Sequence, residues 1–271
     1  MHNFFSLRRF GALFSTYIGE NAKKLGLQIF ALFACLLIMF LLFASFDDYN
    51  ISEGMQIGIF YIGLYFGCFL FTASSFMPYA KGSEASYQLL VPASSFEKTL
   101  LHWLTTTICF LIIYVICYHL CRLLTISIIT MWQPGINQSY YDLIPKSMND
   151  ESQQIIFIFS LFYILIHSLT FLGSITFPKY TILLTLFMIV VILTVLIGWQ
   201  IYWYKATPFL NQSSGFLGLP FTDIEAYTMD NPSKAVRIQF PLNPWLGIAS
   251  LAIVQLLITA STYFKLKEKQ V

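Results

Sequence analysis

The chain has 271 residues, of which 57% are hydrophobic and only 10% are charged, against roughly 25% charged residues in an ordinary soluble domain. A soluble core cannot bury that much apolar surface, and several apolar runs reach the roughly 20 residues that cross about 30 Å of hydrocarbon. The net charge of +2 is too small to suggest a nucleic-acid partner. The composition therefore predicts an all-α, multispanning protein of the lipid bilayer.

The first 24 residues are both aromatic and basic. Phenylalanine and tyrosine residues are interspersed with Arg8, Arg9, Lys23 and Lys24. This composition is typical of an amphipathic helix that lies in the membrane interface, whereas a disordered basic tail would leave the aromatic side chains in water. We therefore predict an interfacial amphipathic helix over residues 1–24.

Six apolar segments follow, and each is long enough to cross the bilayer. The predicted spans are 25–46, 54–77, 99–121, 154–177, 180–203 and 242–264. They make up a transmembrane domain over 25–264, which is followed by a basic tail, 265–271. The third apolar run continues past Arg122 to Thr130, and we expect the Arg122 side chain to extend toward the outer surface.

The basic residues between the spans set the predicted orientation, since cytoplasmic loops carry an excess of Lys and Arg. With the amino terminus inside, ten basic residues lie on the inner side, four lie on the outer side and Arg122 lies at the outer boundary, which accounts for all 15. Both termini are therefore predicted to be cytoplasmic. The long outer loops are 131–153 and 204–241, and the prolines and glycines of the second favour turns and short elements.

Cysteines and histidines in the spans are the candidates for a metal site. All five cysteines lie in apolar runs, so a disulfide framework is not expected. On a helix, Cys117 and Cys121 share a face while His119 points about 200° away from Cys117, so we predict no metal site. The isolated His167 is expected to hydrogen-bond to a neighbouring helix. The predicted spans contain no Asp or Glu, which argues against a proton relay.

Enzyme motifs are also missing from the sequence. It contains no phosphate-binding loop, no His-Glu-x-x-His zinc helix and no Gly-x-Ser-x-Gly elbow. We therefore expect no catalytic activity and no cofactor in this chain. If the protein uses ATP, another chain has to bind the nucleotide.

The inner loop, 78–98, ends in a helix-start signal. Pro92 favours extended geometry at Val91, and Ser94 followed three positions later by Glu97 matches a capping box. The preceding segment can form a short amphipathic helix broken at Gly82. This pattern predicts a helix, a turn and a fixed entry into the third span. A rigid segment of this kind would transmit a movement of a cytoplasmic partner to the membrane helices. The alternative is a simple interfacial turn that only anchors the third span.

Three segments resemble one family. "LLVPASSFEKTLLHWL" resembles the LPAS-x-x-EK-x-L-x-x-W segment of small bacterial membrane proteins similar to ABC type-two permease subunits, and more distantly the LP-x-S-R segment of drug and polysaccharide exporters. "FLGSITFPKYTILLT" is similar to that family's junction between spans four and five, and "FFSLRRFGALFSTYIGENAKKL" to its interfacial helix.

The chain departs from the pattern at Pro178, where a basic residue is usual, and at Leu184, where a Lys usually precedes the Thr. Lys179 is therefore the junction's single charge.

The resemblance implies a permease subunit of an ABC exporter in the bacterial inner membrane, acting as a homodimer or with a second permease subunit. It also implies that a separate ATPase subunit meets the inner loop and the interfacial helix. The implied coupling residues are Lys81, Glu84, Pro92, Ser94, Glu97 and Lys98 of the inner loop, with Arg8, Arg9, Lys23 and Lys24 of the interfacial helix. The alternative is a non-transporting scaffold or sensor whose outer loops bind a periplasmic ligand or partner.

Overall fold

The computed structural model describes residues 5–46, 51–76, 93–132, 150–177, 180–206, 213–217, 224–228, 231–238 and 244–268. The helices are α1 (Leu7–Phe46), α2 (Glu53–Ala73), α3 (Ser95–Leu104), α4 (Phe110–Trp132), α5 (Asp150–Thr176), α6 (Thr181–Ala206) and α7 (Pro244–Glu268). A π-helical turn, Thr105–Cys109, joins α3 to α4 without a break. The three strands are β1 (Ser213–Leu217), β2 (Ile224–Thr228) and β3 (Asn231–Ile238).

Four apolar helical stretches in the described part are long enough to cross a membrane. They are Leu7–Phe46, Glu53–Ala73, Ser95–Trp132 and Phe159–Thr176. Their exposed side chains are largely aliphatic and aromatic, as expected for surfaces that face lipid rather than water. The prediction of a helical, membrane-embedded protein is therefore confirmed.

The first helix is longer than predicted. It has 40 residues, which corresponds to about 60 Å at 1.5 Å per residue. The predicted interfacial helix and the first predicted span belong to this one helix, because the sequence around Lys24 contains no proline and Gly26 is tolerated within a helix. The boundary at residue 24 is therefore a change of composition and not a break in the backbone.

The contacts between α1, α3 and α4 show that these helices run in the same direction. Phe5 packs against Phe96 near the start of both helices, with ring centroids 6.2 Å apart, and Phe40 packs against Tyr118 farther along, at 5.4 Å. Near the end of α7, Tyr263 also packs against Phe96, at 6.5 Å. The start of α1, the start of α3 and the end of α7 therefore share one end of the bundle, which we call the Glu97 end.

The largest apolar core lies where α1, α2 and α4 meet. Tyr114 and Tyr118 are fully buried there and donate hydrogen bonds to the carbonyl oxygens of Phe60 (2.6 Å) and Gln56 (2.8 Å) on α2. A Cβ atom added at Gly63 would lie 2.7 Å from the Tyr114 hydroxyl and 2.8 Å from Leu36. Only glycine allows α2 to approach its neighbours this closely.

Arg122 does not extend to the outer surface as we expected. Its side chain is only 6% exposed, since α4 continues as regular helix to Trp132 and keeps Arg122 within the bundle. Prediction from the charge alone missed this because long basic side chains near a span end usually reach toward water.

Three described strands of the predicted loop 204–241 form an antiparallel sheet. Its strand order is β1-β2-β3, with Gly215 opposite Tyr227 and Glu225 opposite Arg237. The two shorter strands have five residues and the longest has eight, which agrees with the predicted short elements. The sheet adds a small β component to a fold predicted to be entirely helical.

Candidate functional site

The Glu97 carboxylate is the centre of a polar cluster at the Glu97 end. Although its side chain is fully buried, its oxygens accept hydrogen bonds from Arg9 Nη2 (2.7 Å) and from Arg9 Nε (2.8 and 3.0 Å). The backbone N–H groups of Ser6 (2.9 Å) and Ser94 (3.0 Å) also donate to it. We call these four residues, Ser6, Arg9, Ser94 and Glu97, the Glu97 clamp.

The local sequence places Glu97 in this position. Ser94 has an extended backbone, and its hydroxyl accepts a hydrogen bond from the Glu97 N–H at 3.2 Å. The Glu97 carboxylate accepts the Ser94 N–H in return, so the predicted capping box is confirmed. The same carboxylate therefore caps α3 and binds α1.

The electrostatics of the Glu97 clamp favour the charged form of the Glu97 carboxylate. Glu97 lies two residues before the third predicted span. Burial raises the pKa of Glu97, but the Arg9 hydrogen bond and the Ser94 and Ser6 N–H groups outweigh burial and hold the pKa below its ordinary value of 4.5. The hydrogen bond to Glu97 likewise raises the pKa of Arg9. The pair is thus ionised at neutral pH, with Arg9 still 37% exposed.

The other predicted site residues are distributed unevenly around the clamp. Lys98 is buried at 2% exposure. Arg8 and Lys23 are exposed, and the exposed Lys24 donates from Nζ to the Ser74 carbonyl oxygen at 3.3 Å. Lys81, Glu84 and Pro92 lie outside the described residues. The structure thus brings Arg9, Ser94 and Glu97 together and leaves Arg8 and Lys23 at the surface.

A histidine that the sequence analysis did not single out lies one turn beyond the clamp. His102 is buried, with the Tyr17 ring edge-on at 5.3 Å and the Phe76 ring at 4.5 Å. Phe76 in turn packs against Phe171 of α5, at 4.9 Å. This layer connects α1, α3 and α5 below the clamp. The signal in the sequence that could have indicated this layer is a lone histidine, His102, five residues after Glu97.

The π-helical turn is fixed by a contact from α5. His167 Nε2 lies 2.8 Å from the Thr106 hydroxyl and 3.0 Å from the Thr107 hydroxyl. Tyr163, one turn earlier on α5, donates to the Thr107 carbonyl oxygen at 3.1 Å. The predicted hydrogen bond from His167 to a neighbouring helix is confirmed. An i→i+5 turn often marks a position of function or strain in a helix.

His119 points away from the two neighbouring cysteines, as predicted. It is exposed, whereas Cys117 and Cys121 are buried. Within the described ranges, no group of three or more potential ligands could hold a metal ion. All five cysteines are free thiols.

The junction between α5 and α6 is tightly packed. A Cβ atom at Gly173 would lie 1.8 Å from Cγ2 of Thr185. Thr185 is itself buried at 1% exposure. Pro178, where the chain departs from the family pattern, and Lys179, the single positive charge of the junction, lie outside the described residues.

Comparisons of the chain with protein-family models, curated proteins and solved structures find no match. The fold and the site together define a helical, membrane-embedded protein in which a partly buried ion pair joins the start of α1 to the start of α3.

Proposed function

We propose that this chain is the membrane-spanning permease subunit of an ABC exporter and that a separate ATPase subunit energises it. The observation that carries the proposal is the Glu97 clamp. It joins Arg9, in the segment that resembles the family's interfacial helix, to Ser94 and Glu97, in the segment that resembles its inner loop. A force applied to either segment would therefore act on both.

The proposal includes six spans with both termini in the cytoplasm of a bacterial cell. Helices α6 and α7 have 26 and 25 residues, enough to cross about 30 Å of hydrocarbon. The start of α1 and the end of α7 share the Glu97 end of the bundle, and both carry basic residues. These are Arg8, Arg9, Lys265 and Lys267, whereas Lys23 and Lys24 lie farther along α1. Such a concentration of positive charge supports a cytoplasmic location for this end.

In the proposed mechanism, the ATPase contacts the inner loop, 78–98, and the adjoining part of α1. ATP-driven closure of the ATPase pushes the start of α3, and the Glu97 clamp makes the start of α1 move with it. The π-helical turn, Thr105–Cys109, provides a position where α3 can change its angle relative to α4. Two permease subunits, identical or different, would open an outward path between them.

The test is affinity purification of the tagged protein from its native cell in mild detergent, followed by identification of co-purified chains. We expect a stoichiometric ATPase with a Walker motif, and its loss when Glu97 and Lys98 are both changed to Ala. The matched control changes Lys265 and Glu268 to Ala, an exposed acid–base pair 3.7 Å apart at the same end of the bundle. This control should retain the ATPase.

Two results would contradict the proposal. Recovery of envelope proteins alone, even after crosslinking, would favour the scaffold or sensor. Equal loss of the ATPase in the Glu97/Lys98 and the Lys265/Glu268 variants would show that the Glu97 clamp is not part of the coupling site.

A further inference from the structure

An apolar groove of about 320 Å³ lies between α1, α2 and α4. Its walls are formed mainly by aliphatic and aromatic side chains such as Leu32, Phe66 and Leu70, and Gly63 and Gly67 also line it. Phe66 is 56% exposed, so the groove is open on the side that faces the bilayer. We call it the α1–α2 groove. In a membrane, hydrocarbon would fill such an opening because water is absent there.

The length of the α1–α2 groove matches one leaflet. Along α1 it extends from Gln28 to Met39, which is about 16 Å at 1.5 Å per residue. Half of a hydrocarbon core of about 30 Å is about 15 Å. The groove therefore accommodates an acyl chain from one side of the membrane, whereas a partner helix would follow the full span.

The end of the groove at Gln28 is polar. Gln28 Nε2 donates to the Ser74 hydroxyl at 2.9 Å, and Lys24, one turn earlier on the same helix face, donates to the Ser74 carbonyl oxygen at 3.3 Å. Lys23 and Lys24 are both exposed. The Lys24 ammonium group at this end of an apolar groove complements an anionic phospholipid, whose phosphate stays near water while its chain enters hydrocarbon.

We propose that the α1–α2 groove binds one anionic phospholipid, with an acyl chain along α1 and α2 and the phosphate at Lys24. The site requires no ATPase partner, and with the orientation proposed above it would lie in the cytoplasmic leaflet. A second copy of this chain is the competing occupant, because Gly-x-x-x-Gly faces pair helices in membranes. However, this glycine face is already packed within the chain. Cβ atoms added at Gly63 and Gly67 would contact Leu36, Tyr114, Leu32 and Phe110 of the same chain.

The test uses the purified full chain in detergent, titrated with dioleoyl phosphatidylglycerol or dioleoyl phosphatidylcholine and analysed by native mass spectrometry. We expect one phosphatidylglycerol per chain, bound about fivefold more tightly than phosphatidylcholine, since one Lys near an anionic headgroup contributes about that factor. Lys24→Gln should reduce phosphatidylglycerol binding to the phosphatidylcholine level. Lys265→Gln, an exposed lysine at the same bundle end, should leave the preference intact.

The acyl-chain part of the site is tested separately. Cys35 is exposed and lines the groove, so Cys35→Trp should fill it and weaken binding of both lipids about tenfold. Ile38→Trp is the matched control, because Ile38 is a 55% exposed residue of α1 that does not line the groove. Unchanged binding in Cys35→Trp, equal loss in both Trp variants, or an intact headgroup preference in Lys24→Gln would overturn the proposal.

A measurement on the wild-type chain makes the test independent of how the Trp variant folds. Bound phosphatidylglycerol should slow alkylation of Cys35 by N-ethylmaleimide, whereas phosphatidylcholine should do so only at higher concentration. A Cys35 thiol that reacts equally fast with and without phosphatidylglycerol would overturn the proposal. A lipid-insensitive Cys35–Cys35 crosslink in membranes would overturn it in favour of the second copy.

Discussion

The two described junctions at the Glu97 end are held by different kinds of contact. At the start of α3, the Glu97 carboxylate binds Arg9, which is 88 residues away in the chain. At the junction of α5 and α6, Gly173 allows Thr185 to approach so closely that an added Cβ would overlap its Cγ2. The first contact therefore depends on charge and can respond to a partner or to pH, whereas the second depends on volume and responds only to a change in packing.

The largest effect is expected at the packed junction. Gly173→Ala should destabilise the protein by about 3 kcal/mol, at the upper end of overpacking costs, because the β-branched Thr185 side chain has little rotamer freedom to move away. Unfolding in mixed SDS micelles measures the change. Gly173→Ala/Thr185→Ser, which removes Cγ2 and keeps the hydroxyl, should be more stable than Gly173→Ala alone. If the double variant is no more stable, close packing is not what holds this junction.

A smaller effect is expected at the charged junction. Glu97→Ala should cost about 2 kcal/mol, less than for a wholly buried ion pair because Arg9 is 37% exposed. Ser94→Ala, which removes the hydroxyl cap and keeps the ion pair, should cost about 1 kcal/mol. Equal losses in the two variants would show that the carboxylate acts only as a helix cap. The same unfolding assay distinguishes them.

The pH dependence of the two junctions should also differ. Because the pKa of Glu97 is lowered in the folded protein, its contribution to stability is fully present above the ordinary carboxyl pKa and is lost as pH falls through the folded value. Acidification should therefore reduce the difference in stability between the wild type and Glu97→Gln. The destabilisation by Gly173→Ala should stay constant over the same range. A Glu97→Gln difference that does not change with acidification would contradict the assignment.

The smallest effect is expected at the π-helical turn, where a hydrogen bond crosses between helices. Thr106→Val should cost about 0.6 kcal/mol, the typical value for an interhelical polar contact in a membrane, because Thr107 still contacts His167. Thr125→Val is the control, since the buried Thr125 hydroxyl donates within α4, to the Cys121 carbonyl oxygen, and has no hydrogen bond to another helix among the described residues. The Thr106 variant should be the less stable of the two. The reverse order would show that the hydrogen bond from His167 does not stabilise the π-helical turn.

The local part of the site could be predicted from sequence, and the long-range part could not. Ser94 and Glu97 are three residues apart, so the capping box depends on one turn of helix and was predicted correctly. The pairing of Glu97 with Arg9 depends on how α1 and α3 pack, which no local pattern encodes. The π-helical turn likewise depends on His167 of another helix. The sheet was missed because the proline and glycine spacing indicated short elements without indicating strand pairing.

The separation between Arg9 and Glu97 has a consequence for biosynthesis. Translation at about 5 to 20 residues per second leaves about 4 to 18 s between the synthesis of the two residues. The starting turns of α1 emerge well before their acidic partner, so for this period the Arg9 guanidinium has no Glu97 carboxylate to bind. The ion pair can form only once the third helix begins to leave the ribosome, so its formation marks the point at which the nascent chain gains its first contact between α1 and the start of α3.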